Sequence, residues 1–311
     1  MELGFAVPVA GSWATPDRQV QVARRAEELG YASVWTFQRL LFPADEAETS
    51  GNPRWQPVYR SVHDPLITLA FLAGHTSRVR LGVAVLNLPW FSPLLLAKQA
   101  STLDHVSGGR LDLGLGLGWA QQEYDAVGVP MTDRAARADE FVSCLTAIWT
   151  QDPVEFHGKY YDLRPAHVDP RPVQQPHPPI LLGGMAEAAL RRAGRLAQGW
   201  VSASGQNLLD IGNAIEIVRE GAVEAGRDPS QLRFVSRGVV RVRPPGREGR
   251  RPLSGSLDEI RADLATLEQQ GVTEVFVDLN FDNEIGSVGA DPDESMRRAH
   301  EVLEALAPGR G

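Results

Sequence analysis

The chain has 311 residues, 43% of them hydrophobic, enough for one large core, and α/β barrels commonly use such a length as a single domain. A net charge of −8 disfavours a general nucleic-acid binder, which needs a basic footprint, and no stretch is apolar for long enough to span a bilayer. The start, MELGFAVPVAGSWATPD, has no positive n-region, so a cytoplasmic protein without a signal peptide is expected.

The chain opens with a strand, LGFAVPV over 3–9, and a helix in TPDRQVQVARRAEELG, with Thr15 as N-cap, Pro16 in the first turn and Gly30 as the stop. A strand at 33–37 leads into a long, proline-rich and polar stretch over 38–60, which fits a covering loop better than a short connection. A helix at about 65–77, a strand at 79–87, a helix at about 93–106 and a glycine-rich strand follow. After a loop comes a helix at about 133–150, where Cys144 lies beside an apolar stripe and reads as a buried, inert thiol. VEFHGKYYDL reads as a hairpin turning at His157-Gly158, and PAHVDPRPVQQPHPP as an extended surface segment. Strands at 179–184, in GWVSA, at 233–242 and at 273–279 then alternate with helices at 186–197, about 208–225, 256–271 and 291–307.

Eight strand-helix steps describe a TIM barrel, here one domain over 1–311 with insertions at about 38–60, 152–178 and 243–255. A doubly wound open sheet is the alternative, disfavoured because no glycine-rich dinucleotide turn follows the first strand. In a barrel, reacting groups belong on the loops after the strands.

GGRLDLGLGLGW, 108–119, places leucine at 111, 113, 115 and 117 and glycine at 114, 116 and 118. One face is continuously apolar and the other bare backbone, so either a flat ligand or a bulky neighbouring strand comes close to it. In ILLGGMAEAALRR, Gly183 and Gly184 end an apolar strand just before a helix, which suits either an anion held by backbone N–H groups or a plain tight turn. Asn87 ends its strand as a hydrogen-bonding group for a ring or as a turn former. Gln38 and Arg39 stand at the mouth, and Arg39 is a fixed charge suited to an anion or a plain surface residue. Asp64, next to His63, reads as a helix cap rather than as half of an acid/base couple. RVRPPGREGRR, 241–251, is either a solvated mobile loop or a closure over an anionic tail. The seven histidines show no metal-ligand spacing, so no metal is expected, and two lysines leave few places for Schiff-base chemistry.

Taken together, GGRLDLGLGLGW with EYDAVGVPMTDR, DPLITLAFLAGHTSRVRLGVAVLNLP, SPLLLAKQASTLDHVSGGR and PPILLGGMAEAALRRAGRLAQGWV resemble the luciferase-like monooxygenase superfamily. Within it the chain is most similar to the deazaflavin (coenzyme F420)-dependent oxidoreductases, continuously to about residue 203. The resemblance implies a TIM barrel, commonly a homodimer, that binds a flavin or deazaflavin at the carboxyl ends of its strands and acts on a small-molecule substrate. It places Ala84, Val85 and Asn87 near the ring, the first two around a non-prolyl cis peptide. Gly116, Leu117, Gly118 and Gln122 would line the ribityl path, and Gly183, Gly184, Met185, Ala186 and Glu187 the phosphate turn.

Members that oxidise sugar phosphates carry an Asp-His pair and a glutamate where this chain has Gln38-Arg39 and Trp119, so that reaction is disfavoured. The expectation is an F420-dependent oxidoreductase moving a hydride between the deazaflavin and a small organic substrate. Arg39, with Gln38 beside it, would stabilise negative charge on ring or substrate, Trp119 would shape the substrate side, and Tyr124, His63 and Glu123 are candidate proton donors. An FMN-dependent monooxygenase using reduced flavin and dioxygen is the alternative, and a cofactor-binding protein without turnover a second.

Overall fold

Thr15 has extended backbone angles and its side chain accepts the Arg18 N–H, so the first helix starts at the cap read from the sequence. The computed structural model describes every residue except 46–48, 50, 51, 53, 310 and 311, so part of the 38–60 insertion lies outside the described residues. In chain order the elements are β1 (Glu2–Ala6), α1 (Pro16–Glu28), β2 (Ser33–Thr36), α2 (Pro65–Ala73), β3 (Arg80–Asn87), α3 (Pro93–Ser107), β4 (Leu111–Gly116), α4 (Gln121–Ala126), α5 (Arg134–Thr150), β5 (Val154–His157) and β6 (Asp162–Ala166). Then come β7 (Ile180–Gly183), α6 (Glu187–Leu196), β8 (Gly199–Val201), α7 (Ile211–Glu224), β9 (Arg233–Val239), β10 (Arg241–Val242), β11 (Ser254–Gly255), α8 (Leu257–Gln269), β12 (Glu274–Asp278), α9 (Asn283–Gly286) and α10 (Pro292–Ala305).

Eight of these strands, each parallel to its neighbours, close a barrel in the order β1-β12-β9-β8-β7-β4-β3-β2. The expected TIM barrel is therefore present, and β5–β6 is the expected hairpin, antiparallel and outside the barrel. Three expectations change in detail. The loop after β4 contains the short helix α4. The helix expected over 65–77 stops at Ala73, with Gly74 as its cap. The strand expected over 233–242 divides: Val240 donates to the Asp278 carbonyl, and β10 leaves the barrel to pair with β11.

The leucines of the glycine strand take opposite sides from its glycines, as a period of two requires. Leu111, Leu113 and Leu115 join the apolar layer between barrel and helices, where Cys144 is also buried and its thiol is pushed up to about 11 by burial. Inside the barrel a second, smaller core contains Ala6, Trp35, Ala84, Leu181, Val201, Val235 and Phe276. The Trp35 indole stacks on Phe276 at 4.8 Å, and its Nε1 donates to Ser33 Oγ at 2.7 Å and Glu274 Oε1 at 2.9 Å. Gly82 faces that indole because a Cβ there would overlap its six-membered ring.

Closer to the amino ends of the strands lies a charged plug. Asp112 is fully buried and accepts Arg80 Nε at 2.7 Å and Arg233 Nη1 at 2.7 Å, while Arg233 Nη2 also reaches Glu274 at 2.8 Å. Burial works to raise the Asp112 pKa, but the two guanidiniums outweigh it and hold the carboxyl below its ordinary range. Charge at this end of a barrel serves stability rather than reaction. Gly82→Ala drives a methyl into Trp35 and is expected to cost about 1–3 kcal/mol in urea unfolding, the usual penalty of overpacking; an unchanged midpoint contradicts this account of the lumen.

Candidate functional site

The glycine face of β4 is filled by its neighbour β3. A Cβ on Gly114 would overlap the Val83 carbonyl, one on Gly116 would stand 2.6 Å from Val85 Cγ2, and one on Gly118 2.9 Å from Asn87 Oδ1. Across the barrel wall, a Cβ on Gly183 would stand 3.2 Å from the other Val85 methyl. Glycines on two strands thus clear a notch that a single valine occupies. The β3–β4 register shifts between Val83 and Leu86, and the Ala84–Val85 peptide there is cis, as the resemblance implies. At Gly114 the crowding neighbour, not an open slot, accounts for the glycine.

Above this notch, at the carboxyl ends of the strands, lies a cavity of about 530 Å³. It brings together Gln38, Arg39, Ala84, Val85, Asn87, Gly116, Leu117, Gly118, Trp119, Gly183, Gly184, Met185 and Ala186, all singled out from the sequence. Gln38 and Asn87 are joined directly, the Asn87 N–H donating to Gln38 Oε1 at 2.8 Å. Two expected members lie off the lining: Gln122 is half-buried on α4, and Glu187 opens α6 with its exposed carboxylate on Arg191 at 2.9 Å.

The turn from β7 into α6 forms one wall. Gly184 has φ +153°, and a Cβ there would stand 2.5 Å from the Ala189 methyl, so only glycine lets the turn come this close to the helix. Ala186 caps α6 with no side-chain hydrogen bond and lines the cavity together with Ala189. A helix start whose first N–H groups lack a side-chain acceptor favours an anion.

Arg39 is not the free charge expected of it. Its Nη1 donates to Glu123 Oε2 at 2.6 Å, and its guanidinium sits 4.5 Å from the Tyr59 ring centre, 4.8 Å from that of Trp119 and 5.5 Å from that of Trp55. Glu123 is fully buried and also accepts the Leu40 N–H at 2.7 Å. Burial pushes its pKa up against the pull of Arg39. The carboxylate balances the cation that was to balance a ligand, although Arg39 Nε is buried without a partner among the described residues.

None of the three candidate proton donors lines the cavity. Glu123 is committed to Arg39, the Tyr124 hydroxyl donates to the Leu117 carbonyl with its pKa pushed up to about 12 by burial, and the His63 ring shares a hydrogen bond with Gln19 at 2.9 Å. Asp64 accepts the Ile67 N–H at 2.9 Å as the cap of α2.

Two important lining residues went unread in the sequence, Tyr59 and Arg237. Arg237 Nη1 donates to Asp278 at 2.9 Å and its Nη2 to the Ala84 carbonyl, which fastens β9 to the irregular part of β3. A period-2 reading of RFVSRGVVRV would have found it, since Arg233, Val235 and Arg237 share a face. The buried Tyr59 phenol is pushed up by burial, against Arg39 and Arg237, and its hydroxyl pairs with Ser204. No Asp, Glu, His, Lys or Cys appears among the described lining residues.

A model of the luciferase-like monooxygenase family matches residues 1–253. An F420-dependent glucose-6-phosphate dehydrogenase of Kineococcus radiotolerans is 33% identical over 222 residues, 70% of this chain and 61% of that protein. An FMNH2-dependent dimethylsulfone monooxygenase of Pseudomonas putida is 34% identical over 167 residues, 53% of this chain and 46% of that protein. Among solved structures, monooxygenase RslO1 from Streptomyces bottropensis has the same fold, with a TM-score of 0.80 at 24% identity and full coverage of both chains. Barrel, cavity and sequence agree, and the chain belongs to the luciferase-like monooxygenase family.

Proposed function

We propose that the protein is an F420-dependent oxidoreductase: a single-domain, cytoplasmic enzyme, working as a homodimer, that reduces or oxidises a small organic substrate. The observation that carries this reading is the cavity itself, where a glycine-cleared wall floored by Val85 meets a helix-start turn for an anion. Its described lining has no Asp, Glu, His, Lys or Cys, and in this reading the chain's part is to bind, orient and exclude water.

A bound deazaflavin supplies the hydride chemistry. Gly183, Gly184, Met185 and Ala186 would hold its phosphate, while Ala84, Val85, Asn87, Gly116, Leu117 and Gly118 would hold the ring and ribityl chain. Arg39 and Trp119, with Tyr59 between them and Arg237, form the wall left for substrate. Among the lining hydroxyls, which include Ser202 and Ser204, Tyr59 would give or take the proton that accompanies hydride transfer. Because burial raises its pKa, it stays a neutral donor past the ordinary phenol value of about 10.

Relatives of both cofactor classes align with this chain at nearly the same identity, 33% for the F420-dependent and 34% for the FMNH2-dependent one, and the preference for the deazaflavin rests on the motif resemblance. The second relative keeps an FMN-dependent monooxygenase as the other reading. Titration of the protein with each cofactor decides: F420 is expected to bind with a Kd of about 1 µM or below and FMN about tenfold more weakly, and the opposite order overturns the proposal. Tyr59→Phe is expected to lower kcat about 100-fold while cofactor Kd stays unchanged; an unaltered kcat removes Tyr59 from the reaction.

A further inference from the structure

A second compartment, about 520 Å³, opens between the chain after β8 and the segment joining β10 to β11. It shares Gln56, Ser204, Gly205, Arg237 and Phe281 with the first cavity, so the two meet along that wall. Four arginines line it, Arg237, Arg241, Arg250 and Arg251, and no carboxylate does among the described lining residues.

Two of these charges are balanced from behind. Arg237 has Asp278, and Arg250 holds Asp263 with two bonds of 2.6 and 2.9 Å. The other two have no ion-pair partner among the described residues. Arg241 is half-buried, and its guanidinium donates to the Phe281 carbonyl at 3.0 Å; Arg251 is exposed at the rim. Burial already disfavours the Arg241 charge, Asp282 partly offsets that, and Arg251 and Arg243 repel it. Such a group gains from an incoming anion what the fold does not give it.

The arginine segment is also built rather than trailing. Leu253 N–H donates to Asp263 at 2.7 Å, Gly246 N–H to Glu259 at 3.1 Å, and Arg243 holds Asp282 with bonds of 2.9 and 2.8 Å. β10 pairs with β11 at the base of the segment. Less freedom is left to lose when a ligand arrives.

We propose that this compartment is an annex for an anionic group, the carboxylate or phosphate end of a substrate whose reacting carbon lies in the first cavity beyond Arg237. Guanidiniums suit either anion, because both offer paired oxygens to the N–H fork. The substrate class is thus a small organic acid or phosphate ester with its reacting centre several bonds from the charge. The assignment rests on the first cavity being the reaction site.

Calorimetric titration of the full chain, without cofactor and at low salt, with inorganic phosphate and separately with glutarate tests it. Saturable binding of at least one probe is expected, weakened about tenfold or more in the Arg241→Gln/Arg251→Gln pair. Arg251→Glu, a reversal at an exposed position that spares the core, is expected to weaken it as much or more. Affinities for FMN and for F420, whose side chain ends in glutamyl carboxylates, should be unchanged in both variants. Absence of saturable binding, or equal binding by wild type and variants, overturns the annex. Selective loss of F420 affinity in the variants, with FMN unaffected, shows that the annex holds the cofactor tail and overturns the substrate assignment. Because the probes bind without turnover, failure of F420 to bind refutes the proposed function and leaves the phosphate and glutarate result to judge the annex.

Discussion

The site depends on room for one side chain. Val85 lies in a notch cleared by Gly116 on its own side and Gly183 across the wall, while the Val83 carbonyl takes the space over Gly114. Close packing leaves no slack for extra methyl groups there, so these positions and the path of β3 are set together. Arg237 fixes the other end of the arrangement through the Ala84 carbonyl. The floor of the cavity is therefore a property of four strands, β3, β4, β7 and β9, and not of any one motif.

Charge follows the barrel axis in a consistent order. Near the amino ends, Arg80 and Arg233 are met by Asp112 and Glu274; at mid-height Arg237 is met by Asp278; at the mouth Arg39 is met by Glu123. The side chains of Arg39 and Arg237 are buried and those of Arg80 and Arg233 partly so, and each has a buried carboxylate. On the segment that left the barrel at Val240, the half-buried Arg241 and the exposed Arg251 are the two lining arginines of the annex without a carboxylate partner among the described residues. In the first cavity Arg39 and Arg237 have their charge compensated, whereas Arg54 and Arg134 line it without an ion pair among the described residues, as Arg241 and Arg251 line the annex.

Much of this was legible in the sequence because it is written in local periods. Short apolar runs alternating with helical segments placed the eight strands, Thr15 and Asp64 announced their caps, and the Gly183-Gly184 pair marked the turn after β7. What escaped is non-local. Arg39 and Glu123 are 84 residues apart, so nothing near Arg39 disclosed that its charge is spent. Val85 could not be matched to Gly116 and Gly183 without the register shift that brings it there. Tyr59 sits in a 3-10 turn at the end of the irregular 38–60 stretch, where no periodicity separates a lining aromatic from a surface one. Arg237 was legible and was missed because its strand was read as a run rather than as two faces.

The most direct measurement is cofactor affinity in Gly116→Val and Gly116→Ala, with the unfolding midpoint recorded beside it. Added bulk at this position displaces Val85 into the cavity, so F420 and FMN affinity should fall in both variants, by about 100-fold or more with valine, while the alanine variant keeps its fold. Folded variants that bind either cofactor as tightly as the wild-type chain would contradict the claim that this notch and its valine form the floor of the cofactor site.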